Sequence, residues 1–129
     1  VKKGLRLYKD EKLCSEVAIG ALFAHGSSSV SSKLAYPLRM VWRVAPEDEP
    51  RRGTCARFLV SVPKKRIRHA VDRVTVRRRV REQYRLNRHL ISEGIPFEIA
   101  FIYVADEVLP TARILPAMQR LLGKLRVES

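Results

Sequence analysis

The chain has 129 residues, with 26 Lys and Arg against 13 Asp and Glu, a net charge of +13 and a pI near 10.6. That length predicts one domain spanning 1–129, and the 46% apolar fraction excludes a disordered chain. No run of about 18 apolar residues exists to span a bilayer, so the charge points to a polyanion: nucleic acid first, an anionic membrane second.

Val1-Lys2-Lys3-Gly4 leads into no uninterrupted apolar stretch, so no signal peptide is expected. Cys14 and Cys55 stand 41 positions apart, which is neither a zinc pattern nor a disulfide framework. Buried free thiols in a reducing cytoplasm are the plain reading.

Residues 10–24 read as a helix capped by Asp10, with Leu13, Val17, Leu22 and Phe23 near helical spacing and Gly26 ending it. The Ser-rich stretch 27–32 is a loop or a short edge strand, the strand centred on residues 28–30. Residues 38–44 read as a strand, with Leu38, Met40, Trp42 and Val44 on one face and Arg39, Val41 and Arg43 on the other. Residues 46–53 form a polar turn with two prolines. Residues 56–62 form a second strand close enough to pair with the first as a hairpin. Pro63 stops that strand.

A helical pattern then runs over 70–91, with Val76, Val80, Tyr84 and Ile91 close to one face. Gly94 and Pro96 break it. Residues 97–104 are almost continuously apolar, as in a central strand covered on both faces. Residues 114–125 close the chain as an amphipathic helix, with Leu115, Met118, Leu121, Leu122 and Leu125 inward. The order α-β-β-(β)-α-β-α predicts an α+β fold, a single-domain α/β sandwich.

The charge is concentrated. Between Lys64 and Arg88 there are eleven basic residues and only two acids, Asp72 and Glu82, for a local net charge of +9. Arg77, Arg81, Arg85 and Arg88 step by four, four and three, so they make a stripe along one side of the helix, and Arg73 extends it by a turn. Like charges at these spacings destabilise a helix by a few tenths of a kcal/mol per pair. A polyanion laid on the stripe relieves that. Nine of the eleven are Arg, whose planar fork grips phosphate bidentately. About six phosphate contacts would give a salt slope of roughly −4 to −5. The competing readings are a solvated helix face and an amphipathic helix that binds membrane or calmodulin.

Lys64-Lys65, Ala70-Val71, Arg73, Arg77-Arg78 and Arg81-Glu82 lie in the order and spacing of a known signature. The stretch resembles that of the bacterial ribonuclease P protein subunit: Lys-Lys after a strand, Ala-Val-x-Arg-Asn-Arg, a basic pair, then Arg-Glu. Val74 and Thr75 stand where the family has Asn and Arg, so that contact is not carried over. Leu22-Phe23-Ala24-His25-Gly26 resembles the end of the family's first helix.

The resemblance implies a mixed sheet with a left-handed βαβ crossover, akin to the second domain of a small-subunit ribosomal protein. It also implies a chain that binds a catalytic RNA subunit and the 5′ leader of precursor tRNA. The chemistry there is Mg²⁺-dependent hydrolysis by the RNA, with Mg²⁺ held mainly by the RNA partner and substrate phosphates. The expected RNA contacts are Lys64, Lys65, Arg66, Arg68, Arg73, Arg77, Arg78, Arg81 and Arg85. The expected leader cleft uses Phe23, Arg39, Val41 and Arg43, with plain core as the other reading of Phe23.

No paired carboxylates, nucleophile elbow or glycine-rich phosphate loop is present, and His25, His69 and His89 are scattered. Neither a protein catalytic residue nor a protein metal ligand is therefore expected. The alternatives are a ribosome-associated or other structured-RNA-binding protein and a DNA-binding module.

Overall fold

The computed structural model describes residues 30–44, 56–91, 95 and 97–125. The helix expected over 10–24 lies outside these residues, with Phe23 and Cys14.

Among the described residues, four strands form one sheet: β1 (Ser31–Ala35), β2 (Leu38–Val44), β3 (Arg57–Ser61) and β4 (Phe97–Tyr103). Their order is β1-β2-β4-β3. β1 and β2 form a tight antiparallel hairpin around a cis Tyr36-Pro37 bond. The edge strand is thus Ser31–Ala35, whereas the stretch 28–30 where one was anticipated lies mostly outside the described residues. β2 pairs antiparallel with β4, and β3 pairs parallel with β4.

The expected hairpin between the strands at 38–44 and 56–62 is not formed, because β4 lies between them. The physical reason is the composition of β4. Phe97, Ile99, Phe101 and Tyr103 are buried on one face, and Glu98 and Ala100 are buried on the other. A strand with no face for solvent belongs inside the sheet.

The parallel β3–β4 pair needs a crossover, which is supplied by α1 (Ala70–Asn87) and a 3₁₀ turn at Arg88–Leu90. The helical pattern over 70–91 thus ends at Asn87, whose side-chain amide donates to the Gln83 carbonyl at 2.8 Å. α2 (Thr111–Gly123) follows β4. Of its expected inward residues, Met118, Leu121, Leu122 and Leu125 are buried, whereas Leu115 is only half-buried.

Both helices cover the same sheet face. Leu38, Met40, Phe58, Ile99, Phe101 and Tyr103 meet Val76, Val80 and Tyr84 of α1 and Ile114, Met118, Leu121 and Leu122 of α2. Tyr84 stacks on Phe58, with ring centroids 3.9 Å apart, and meets Phe101 edge-on at 5.8 Å. Such ring pairs add about 0.5–1.5 kcal/mol beyond area burial. They fix the roll of α1, so its charged side faces out. α1 packs over β3, and α2 packs over β1 and β2. The opposite sheet face carries a smaller apolar group, Val41 and Ala100 with Val30, Leu59 and Ile102.

Candidate nucleic-acid interface

The basic region has two parts, the loop at 63–69 and the outer side of α1. The loop begins with a turn in which the Arg66 and Ile67 amides donate to the Pro63 carbonyl. Ile67 is buried and anchors it, which leaves Lys64, Lys65 and Arg68 exposed on either side.

Arg73 ties the loop to the helix. Its Nη1 donates to the carbonyls of Ile67, at 2.9 Å, and Arg68, at 2.8 Å. Arg66 reaches the other way, donating to Asp106 at 3.1 Å in the β4–α2 loop. Asp106 is well exposed, so this pair is a weak tether.

Along α1 the arginines divide by role. Arg78 and Arg81 are exposed, and Arg77 is half-buried. With Val74 and Glu82 they line a concavity of about 420 Å³. Arg85 donates to Glu82 through Nε, at 3.1 Å, and through Nη2. This bond holds the Glu82 carboxyl below its ordinary pKa and pushes the Arg85 guanidinium up. Arg79 turns away from the stripe and donates to the Leu109 carbonyl at 2.8 Å, which links α1 to the start of α2. The same loop is pinned by Tyr103, whose hydroxyl donates to the Glu107 carbonyl and accepts from the Leu109 amide.

The two departures from the signature behave differently. The Thr75 hydroxyl bonds back to the Val71 carbonyl at 3.2 Å, the usual arrangement for Thr inside a helix. Val74 is 54% exposed and Val71 77% exposed, so apolar methyls face solvent in the middle of the cationic surface.

The expected leader face also divides. Arg39, Val41 and Arg43 do lie on the sheet face away from the two helices, in register with Ile102, Ala100 and Glu98. Arg39 is exposed. Val41 is buried. Arg43 is 5% exposed, and its Nε donates to Glu98 at 2.7 Å. Arg43 therefore fixes this face from within, and Arg39 carries its accessible charge.

Sequence spacing placed Arg73, Arg43, Arg66 and Arg85 among the contacts but could not show what holds them. The partners of Arg73 and Arg66 come from loops, that of Arg43 from a strand 55 positions away, and that of Arg85 from one turn earlier. Only the Arg85 pair had a local signal, the i, i+3 spacing. Among the described residues, no three His, Cys, Asp or Glu side chains converge as a metal site. No described helix is long and apolar enough to cross a membrane.

The ribonuclease P family model matches residues 7–126. Ribonuclease P protein components from two strains of Porphyromonas gingivalis are each 40% identical over 124 residues, covering 92% of this chain and 85% of theirs. In fold, the chain is similar to the RNase P protein from Thermotoga maritima, with a TM-score of 0.68 at 20% identity, over 92% of this chain and 99% of that one. It is likewise similar to the RNase P protein of Staphylococcus aureus, with a TM-score of 0.65 at 16% identity, over 88% of this chain and 94% of that one. With its core, crossover helix and basic surface in place, the chain belongs to the ribonuclease P protein family.

Proposed function

We propose that this chain binds the catalytic RNA of ribonuclease P and the 5′ leader of precursor tRNA, and assists Mg²⁺-dependent endonucleolytic removal of the leader. The observation that carries this reading is the surface made by Lys64, Lys65, Arg68, Arg77, Arg78 and Arg81. Among the described residues, no hydrogen bond or ion pair engages these six side chains. Cations left open on a rigid helix and its anchored loop suit phosphate contact, which positions an RNA without reading its bases.

In this reading Arg73 and Arg66 hold the loop, and Arg85 works as a pair with Glu82. Val74 puts methyl groups against the RNA where the family has a polar residue, beside the exposed Val71. Arg39 meets the leader on the far face of the sheet, with Arg43 and Glu98 keeping that face in place. The described residues offer no dedicated Mg²⁺ cage. Mg²⁺ here is held by RNA and substrate phosphates, as suits an ion that keeps its waters and shares phosphate oxygens. The protein contributes binding and orientation, and the RNA carries the chemistry.

The test is reconstitution with a ribonuclease P RNA and precursor tRNA at low Mg²⁺. The expected result is faster leader removal when the protein is added. No stimulation at any salt concentration refutes the proposal.

A further inference from the structure

The second helix carries a charge pattern that the α1 surface does not explain. α2 has no acidic residue, and its only charges are Arg113 and Arg120. Lys124 follows directly at its C-cap. Steps of seven and four put the three on one side of the helix, over about 16 Å. All three are exposed. Among the described residues, no ion pair or side-chain hydrogen bond engages any of them.

Their direction follows from the packing. α1 meets α2 through Arg79 at the Leu109 carbonyl and through Gln119, whose amide donates to Asn87. The two helices therefore run side by side in the same sense. Gln119 faces α1, so the Arg113–Arg120–Lys124 side faces the other way, over β1. Lys33 of β1 lies beneath it. Desolvation, then the fields of Lys124 and Arg120, push the Lys33 ammonium pKa down. Meanwhile α1 lies over β3, at the opposite edge of the sheet.

Ordinary helix electrostatics explains only half of this. Cations at Arg120 and Lys124 suit a helix C-terminus, but Arg113 sits in the first turn, where a cation is unfavourable. Lys33 is added to charges of its own sign. Such an arrangement is relieved by an external polyanion.

We infer that the outer flank of α2, Arg113, Arg120 and Lys124 with Lys33 below, is a second RNA-phosphate contact, so that the protein bridges two RNA segments at opposite edges of its sheet. The inference rests on the ribonuclease P reading for the identity of the RNA, but backbone binding can be measured without it.

The experiment uses two fluorophore-labelled copies of a short generic RNA duplex. Wild-type protein should bring them together, giving energy transfer. Arg113→Gln/Arg120→Gln/Lys124→Gln should lose that transfer, keep its far-UV circular dichroism, and bind one duplex with a salt slope shallower by roughly 2–3. Arg113→Lys/Arg120→Lys, which keeps the charge, should retain the transfer. Arg77→Gln/Arg78→Gln/Arg81→Gln should lose the transfer while still binding one duplex through α2. A triple α2 variant with wild-type slope and transfer overturns the inference, as does wild-type protein that never joins two duplexes. Energy transfer without stimulation of leader removal in the reconstitution assay would instead overturn the proposed function.

Discussion

Replacing Arg73 separates a side chain that touches RNA from one that holds other side chains in place. In the folded chain its guanidinium donates to two loop carbonyls, at 2.9 and 2.8 Å. A hydrogen bond from a charged donor contributes about 1.5–3 kcal/mol, and less where solvent competes. One of these bonds is partly buried and the other is exposed, so the pair is worth about 2 kcal/mol. Arg73 is also a cation in the first turn of α1, and its removal returns about 0.5 kcal/mol. Arg73→Ala should therefore destabilise the protein by about 1.5 kcal/mol in urea denaturation.

Its effect on RNA binding should be larger than one lost charge. The loop that presents Lys64, Lys65 and Arg68 loosens, so affinity falls at every salt concentration. Arg73→Lys should recover part of the loss, because an ammonium on a flexible stem grips two carbonyls less rigidly than a guanidinium. The reasoning is refuted if Arg73→Ala keeps wild-type stability and loses about one unit of salt slope, the signature of a direct phosphate contact.

Three further results are expected. Arg77→Ala/Arg78→Ala/Arg81→Ala should make the salt slope for the ribonuclease P RNA shallower by roughly 2–3 while leaving thermal stability near wild type, since no ion pair or hydrogen bond among the described residues is lost. Arg43→Ala should cost about 3–5 kcal/mol in denaturant titration, because it removes one partner of a buried ion pair with Glu98. Glu82 is held below its ordinary pKa by Arg85, so its contribution to stability is full above the unfolded carboxyl value of 4.5 and is lost as pH falls through the lower folded value. Compared with Glu82→Gln in acid titration, wild type should lose its extra stability only in that window; equal pH profiles would remove the pair from the stability of α1.

What could be read before folding was what repeats locally. Val76, Val80 and Tyr84 fixed the inward side of α1 by spacing alone, and the arginine steps fixed its outer side. Period two likewise put Arg39, Val41 and Arg43 on one sheet face. Strand order was another matter. The hairpin expected between β2 and β3 followed from their closeness in sequence, whereas β4, more than fifty positions beyond β2, pairs between them. Burial along a single face was equally hidden: Arg39 and Arg43 share parity, yet one meets solvent and the other a carboxylate. The α2 flank escaped notice because the leucines of that helix dominate its pattern, and its cations gain meaning only beside Lys33.

The place of β4 between β2 and β3 also sets the order in which the molecule can be completed. Until residues 97–103 have been synthesised, the β1–β2 hairpin has no partner joining it to β3. α1 leaves the ribosome before then, packed on β3 and with its arginines repelling one another. Closing that gap joins residues far apart in sequence, a slow step for a chain of this length. An RNA bound to the nascent arginine stripe would lower the repulsion during the wait, so the partner can act as a template for the helix it later uses.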